Sequence, residues 1–495
     1  MTDLNRRSFL TRGALLAGAT VMGPAAFSAL TARSAGVAVA AEAGGGYGPL
    51  ARARAVNEPA GPEYLALPAG FSYVVFGKIG SPMKDGNPTP VNLDGMAAFA
   101  SPRGGVRLIR NHEDRNAPGV GSVKGPQGTK YDPLAGGGTT TLDFDPSSRT
   151  LVRDFISLNG TIVNCAGGIA TINDRIGWMT SEETTAGPLQ GWGAKHGYNF
   201  FVPLRTVRPE LSEPFNAMGR FAHEATFRDD ASGIFYQTED AGSGRGSGFY
   251  RFLPTRDNAR EGRLQMLAVR DRPQADLREG QTEDVRIPVE WVDITNPDPA
   301  DPIIQAPLPG ATSVFAQGFA AGGAKFNRLE GIWDGGDSVI FASTSGGDAK
   351  NGDVNSDGFR EGFGQIWKYV PGAGEGGRLI LLFESPGGDV LDSPDNLVVT
   401  PRGGILLCED DASSMDGTTD IDPLAPGIEN VNRLIGLTMS GSAFKFAVNT
   451  FNESEFAGAC FSPDGRTLFV NIFGDGSPGS GMTCAVRGPW RNGAL

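Results

Sequence analysis

Histidine occurs only three times in 495 residues, as His112, His196 and His223. That scarcity argues against a zinc site built on several imidazoles. Positive charge is also short: 43 Lys and Arg against 56 Asp and Glu give a net charge of −13. Nucleic acid and anionic membrane are thereby disfavoured as partners, whereas surplus carboxylates suit divalent cations. Beyond the N-terminus no stretch of eighteen apolar residues occurs, so no stable membrane insertion of the mature chain is expected. There are four cysteines. Cys408 lies in an apolar run. Cys460 and Cys484 leave two readings open, a disulfide outside the cytoplasm or separate packing as small apolar residues.

What is abundant is Gly (72) and Pro (34), in a chain with 39% hydrophobic and 20% charged residues. A core of ordinary size interrupted by many turns argues for an all-β fold and against a helical bundle or coiled coil. The N-terminus reads as an address. Arg6 and Arg7 precede an uncharged stretch from Gly13 to Ala32 and small residues around Ala38–Ala41. This is the anatomy of a Tat signal peptide over residues 1–41, with a single domain over 42–495 exported by the Tat machinery to the periplasm or outside the cell.

One unit recurs: a Gly- or Asp-rich turn, a short apolar strand, then polar or acidic residues. Its copies start at Ser101, Asn173, Arg228, Asp334, Pro401 and Ser462. The intervals of 55 to 106 residues fit a four-stranded blade with long inserted loops, and six blades close a propeller. A β-sandwich with chance turn similarity is the competing architecture.

Upstream of the six turns stand Asp94, Cys165, Glu224, Glu330, Asp395 and Glu455. If the strands after them are innermost, these side chains meet at one end of the channel. The second strand of each hairpin returns Glu113, Glu182 or Glu183, Glu239 or Asp240, and Glu409 or Asp410 toward the same end. So many carboxylates cannot stay ionised together unless cations neutralise them. Oxygen ligands in this number suit calcium, and one thiolate among them points to a softer transition metal. Solvated turn-capping acids are the bland alternative for any single one. His112 and His223 precede Glu113 and Glu224, as structural or ligand-orienting histidines. The run from Asp353 to Gly358 has the acid spacing of a calcium loop, but Gly364 stands where such a loop needs Glu, so a surface turn fits equally.

Several motifs together resemble the PhoX-type alkaline phosphatases. They are Arg110–Glu113, Asn164–Gly168, Gly219–Glu224, Arg328–Gly331, Thr344–Asp348, Gly364–Trp367, Phe383–Pro386, Ser393–Leu397, Pro401–Gly404, Cys408–Asp410 and Glu455–Gly465. The resemblance implies a six-bladed propeller with an iron–calcium cluster (Fe3+ and Ca2+) that hydrolyses a small phosphate monoester; a monomer is the separate expectation for its assembly. It implies Cys165, Glu113, Glu182, Glu183, Glu224, Glu330, Asp395, Glu409 and Asp410 as metal ligands, with Asn396 beside them. Arg328 and Glu330 are the expected catalytic pair, Arg328 contacting phosphate through its fork of donors. The chain departs from the family pattern over Thr171–Trp178, and Ser181 stands where a cysteine is expected before the Glu pair. A calcium-dependent propeller lactonase or phosphotriesterase, and a metal-binding propeller without turnover, are the other functional readings.

Overall fold

The computed structural model describes residues 46–241, 244–299, 313–372, 376–411 and 421–495. The twin-arginine segment therefore lies outside the described residues. Six antiparallel blades surround one axis. Their innermost strands are Leu93–Ala100, Asn164–Ile172, His223–Arg228, Leu329–Asp334, Pro394–Val399 and Phe456–Phe461. Each packs against the next, and the sixth against the first, so the ring is closed. The chain is thus a six-bladed propeller.

In every blade the predicted turn joins the innermost strand to the second. The second strands are Val106–His112, Arg175–Glu182, Phe235–Glu239, Val339–Ser343, Ile405–Glu409 and Leu468–Ile472. Blades 1 and 4 have four strands and blade 2 has three. The outer strand of blade 3, Ile287–Asp293, pairs with the outer strand of blade 4, Gly377–Glu384, making one nine-stranded sheet. The ring is fastened by the N-terminal part of the chain. Ser72–Phe76 is the outer strand of blade 6, antiparallel to Met482–Arg487 with Phe76 opposite Thr483. Leu65–Pro68 and Leu50–Ala53 extend blade 5 beyond Ala443–Asn449. No turn or acid signal marks these strands, and the sequence reading did not place them.

The blades pack through apolar faces. Between blades 3 and 4, Phe249 stacks on Phe341 with ring centroids 4.4 Å apart, in a cluster with Tyr236, Trp291 and Tyr369. All four cysteines are free. Cys460 belongs to the apolar cluster with Phe469 and Ala485, and Cys484 to the one with Leu468 and Val470. The two thiols thus lie in different cores of blade 6 and form no disulfide. Asp353–Gly358 is the tip of a short hairpin, Lys350–Val354 with Arg360–Gly362. Its Asp357 pairs with Arg278 at 2.8 Å.

The second strands of three blades end in a carboxylate that ties its own blade together. Glu182 accepts from the backbone N–H of Ile162 (3.0 Å) and Gly197 (2.9 Å) and faces His196 Nδ1 at 2.7 Å. His196 Nε2 faces Asp132 at 3.2 Å. Burial alone would lower the His196 pKa; the Glu182 and Asp132 carboxylates more than offset it and lift it to about 9. Glu239 accepts from Gly248 N–H (3.0 Å) and Tyr250 Oη (2.7 Å) and pairs with buried Arg245. Glu409 accepts from Asp392 and Arg433 N–H, both at 2.9 Å, and from the Arg433 guanidinium at 2.6 Å.

Removing one partner of such a buried pair costs about 3–5 kcal/mol, because a desolvated charge loses its complement. Arg433→Met is expected to lower the free energy of unfolding by that amount in a denaturant titration. A loss below about 1 kcal/mol would show that the blade 5 clamp is not a stability element.

Candidate metal centre

Each innermost strand carries a β-bulge at its start. The register breaks between Leu93 and Met96, Asn164 and Gly167, His223 and Thr226, Leu329 and Ile332, Pro394 and Leu397, and Ala457 and Cys460. A bulge inserts an extra residue and re-aims a side chain. The first re-aimed residue is Asp94, Cys165, Glu224, Glu330 or Asp395 in blades 1–5. Blade 6 has Ala457 there and supplies Glu455 two positions earlier. The residue two before the bulge position is left-handed in four blades: Asn92 (φ 53°), Val163 (φ 48°), Arg328 (φ 47°) and Ser393 (φ 43°). For branched Val163 this conformation is strained. It is held by the residue leaving the second strand, since Glu183 N–H donates to Val163 O at 2.8 Å. The same bond joins Glu113 to Asn92, Asp240 to Ala222, Thr344 to Arg328, Asp410 to Ser393 and Phe473 to Glu455.

The strands can converge this closely because the residue after the re-aimed one is Gly or Ala in five blades, Gly95, Ala166, Ala225, Gly331 and Gly458, with Asn396 in blade 5. A Cβ on Gly95 would lie 2.5 Å from Ala166 Cα, and one on Gly331 2.8 Å from Asp395 O. Below this belt the channel narrows to a cavity of about 20 Å³ among Met96, Trp178, Ile332, Trp333 and Leu397.

Among the described residues, four groups of donor atoms, each within 4.8 Å of one another, make up the belt: Asp94–Glu113–Cys165, Cys165–Glu183–Glu224, Glu224–Glu330–Asp395 and Asp395–Asp410–Glu455. Successive groups share Cys165, Glu224 and Asp395, so the sites run into one another. Of the sequence-predicted residues, the structure brings together Glu113, Cys165, Glu183, Glu224, Glu330, Asp395 and Asp410. It does not bring Glu182 or Glu409 there: both are consumed by the blade clamps, and the next residue in each chain takes the place in the belt. Asp94 and Glu455, which stand before the repeat's turns, complete the groups. Asn396 turns its amide to Asp395 Oδ1 (2.8 Å) and its carbonyl to Gly458 N–H (2.6 Å), bracing the belt.

The belt fits metal ions on its own chemistry. Both carboxylate oxygens of Glu224 and Oδ1 of Asp94 are buried without a hydrogen-bond partner. Orphaned anionic oxygens in a dry site are costly unless a cation meets them. Burial first, and neighbouring carboxylates next, push Asp94, Glu183, Glu224, Glu330 and Glu455 well above the usual carboxylate range. Asp395 is pushed up to about 8 by burial and then by Asp410. Burial and the adjacent carboxylates raise the Cys165 thiol as well.

Two arginines stand at the rim. Arg328 donates to Asp240 Oδ1 (3.1 Å) and Oδ2 (2.8 Å), and lies 3.2 Å from Glu330 Oε1, with about a third of its side chain exposed. Arg115, which the sequence reading did not single out, pairs with Glu113 and with Glu183 Oε2. His112 and His223 are structural. His112 spans Val91 O and Thr140 Oγ1, both at 2.9 Å, and His223 stacks on Phe221. The departures from the expected pattern sit away from the belt: Asn173 and Asp174 form the left-handed tip of the blade 2 hairpin, and Ser181 donates to Asn199 inside the blade.

A propeller that collects eight carboxylates and a thiol on its axis, with guanidinium groups at the rim, belongs among metal-dependent scaffolds. The chain is a member of the alkaline phosphatase PhoX family, whose profile matches residues 45–476. Among solved structures, Pseudomonas fluorescens PhoX in complex with vanadate, a transition state analogue, shares the fold. Its TM-score is 0.64 at 17% identity, over 91% of this chain and 99% of that one. A luciferin-regenerating enzyme (TM-score 0.41, 11% identity, 84% of this chain and 96% of that one) is more distant. So is a Dyadobacter fermentans protein of unknown function (TM-score 0.41, 9% identity, 85% and 100%). No curated protein sequence matches the chain.

Metal-free protein is expected to lose stability as pH rises. Folded Asp395 keeps its proton up to about pH 8, whereas the ordinary aspartate value is 3.8. Between those limits the folded state binds a proton that the unfolded state releases, so the free energy of unfolding falls with pH. Melting temperatures of chelator-treated protein at pH 5 and pH 8 measure this. A higher melting temperature at pH 8 would show that the belt acids are not crowded without cations.

Proposed function

We propose that this protein is a Tat-exported phosphatase that hydrolyses phosphate monoesters at an iron–calcium centre in the belt. The observation that carries the reading is Glu224, buried with both oxygens unpartnered at the junction of two donor groups in a PhoX-family chain. Vanadate bound to Pseudomonas fluorescens PhoX, described as a transition state analogue, supports phosphoryl chemistry on this fold.

Cys165 is the soft donor and would hold iron with Glu183 and Glu224 or with Asp94 and Glu113. The all-oxygen groups, Glu224–Glu330–Asp395 and Asp395–Asp410–Glu455, suit calcium. Bound there, such ions neutralise phosphoryl oxygens, lower the pKa of water and stabilise a leaving alkoxide.

The chain's own contribution is placement. Five bulges fix donors on rigid inner strands, and backbone bonds tie the residues that leave the second strands to the same level, so little reorganisation is needed on binding. The narrow channel beneath leaves the substrate only the rim face to approach from. Arg328 is the phosphate-orienting group: its fork is already turned into the belt by Asp240, and its partial exposure leaves it reachable by a dianion. Glu330, 3.2 Å from that guanidinium, sets its position as well as serving a metal group.

The test pairs metal content with turnover. Purified protein should contain iron and several calcium ions per chain and hydrolyse p-nitrophenyl phosphate, with activity abolished by chelation and restored by calcium. Cys165→Ala should lose iron and reduce kcat by at least about a hundredfold, as expected when a metal-held electrostatic stabiliser is removed. Calcium without iron, with hydrolysis of a lactone or phosphotriester instead, would overturn the assignment. So would metal-loaded protein with no hydrolysis at all.

A further inference from the structure

We infer that Arg115 is a second phosphate-binding residue of this centre, set across Glu183 from Arg328; the inference rests on the phosphatase reading above. Arg115 lies two residues beyond Glu113, where the blade 1 chain leaves its second strand. Its guanidinium donates to Glu183 Oε2 at 2.6 Å and contacts Glu113, yet 58% of its side chain is exposed. Arg328 enters from blade 4, opposite blade 1 in the ring of six, is 32% exposed, and its charge also acts on Glu183. Two guanidinium groups therefore bracket one carboxylate of the Cys165–Glu183–Glu224 group.

The two acids that hold Arg115 are themselves donors to metal groups, Glu113 with Asp94 and Cys165, Glu183 with Cys165 and Glu224. A carboxylate lone pair given to a cation is not available to a guanidinium, so metal binding loosens the hold of Glu113 and Glu183 on Arg115 without abolishing it. Arg115 then retains five donors in a fixed fork on an exposed side chain beside the site. A phosphoryl dianion presents three oxygens that cannot bond to carboxylates but match such forks. One arginine spans two of those oxygens, and a second from the opposite flank fixes the group's rotation about the ester bond.

A mere counter-ion for Glu113 and Glu183 would behave differently. Its loss would disturb metal content, whereas loss of a phosphate contact weakens phosphate at constant metal. The experiment compares wild type, Arg115→Ala and Arg115→Lys as metal-loaded proteins. It measures iron and calcium per chain, the inhibition constant of inorganic phosphate, and KM for p-nitrophenyl phosphate. Arg115→Ala is expected to keep its metals while both constants rise about tenfold to a hundredfold, the range for losing charged hydrogen bonds. Arg115→Lys should recover part of the loss. An unchanged inhibition constant at full metal content, or a fall in metal that parallels the weaker phosphate binding, would overturn the inference. Wild-type protein that holds metals but neither binds phosphate nor turns over would instead overturn the phosphatase reading, and this one with it.

Discussion

Everything at the centre follows from electrostatic crowding on a narrow axis. Six strands approach until a single added Cβ would meet a neighbour's backbone, and at that level each of five blades aims an ionisable side chain inward. Eight carboxylates cannot disperse there, because the backbone that carries them is locked by strand pairing and by the bonds from each second strand back to its innermost strand. Cations resolve the conflict without moving the scaffold. The fold supplies rigidity and the acids supply the unmet demand for charge; neither alone would make a metal site.

The same blade element performs two jobs one residue apart. Glu182 and Glu409 end their second strands and face into the blade, saturated by N–H groups, His196 or Arg433. Glu183 and Asp410 follow them and join the belt. In blade 3, Glu239 and Asp240 divide the work likewise, Asp240 holding Arg328. An acidic pair at a strand end is thus one carboxylate for stability and one for the site, and exchanging their order would serve neither.

The architecture was legible in the sequence because turns are written locally. All six repeated turns fall where the innermost strand hands over to the second, since glycine and short polar residues are dictated by backbone geometry at those points. The identity of the belt was legible only to within a residue. Side chains alternate along a strand, so the face of Glu182 against Glu183 depends on register, and register at this point is set by a bulge in the neighbouring strand that no residue type announces. Arg115 carried no signal because its role arises from loops of two blades meeting. The cysteine pairing stayed open for a similar reason: Cys460 and Cys484 sit on adjacent regions of blade 6 but belong to opposite cores.

The strand that fastens the ring bears on when the protein becomes whole. Phe76 must wait for Thr483, more than four hundred residues later, before blade 6 has its outer edge. Pairings of that separation are slow to form and leave an unpaired strand edge exposed in the interim. A chain under synthesis therefore cannot close its propeller before Met482–Arg487 has been made, however many blades already stand. Closure is thus a single late event that the earlier blades must wait for, and the belt donors of blade 1 meet their blade 6 neighbours through it.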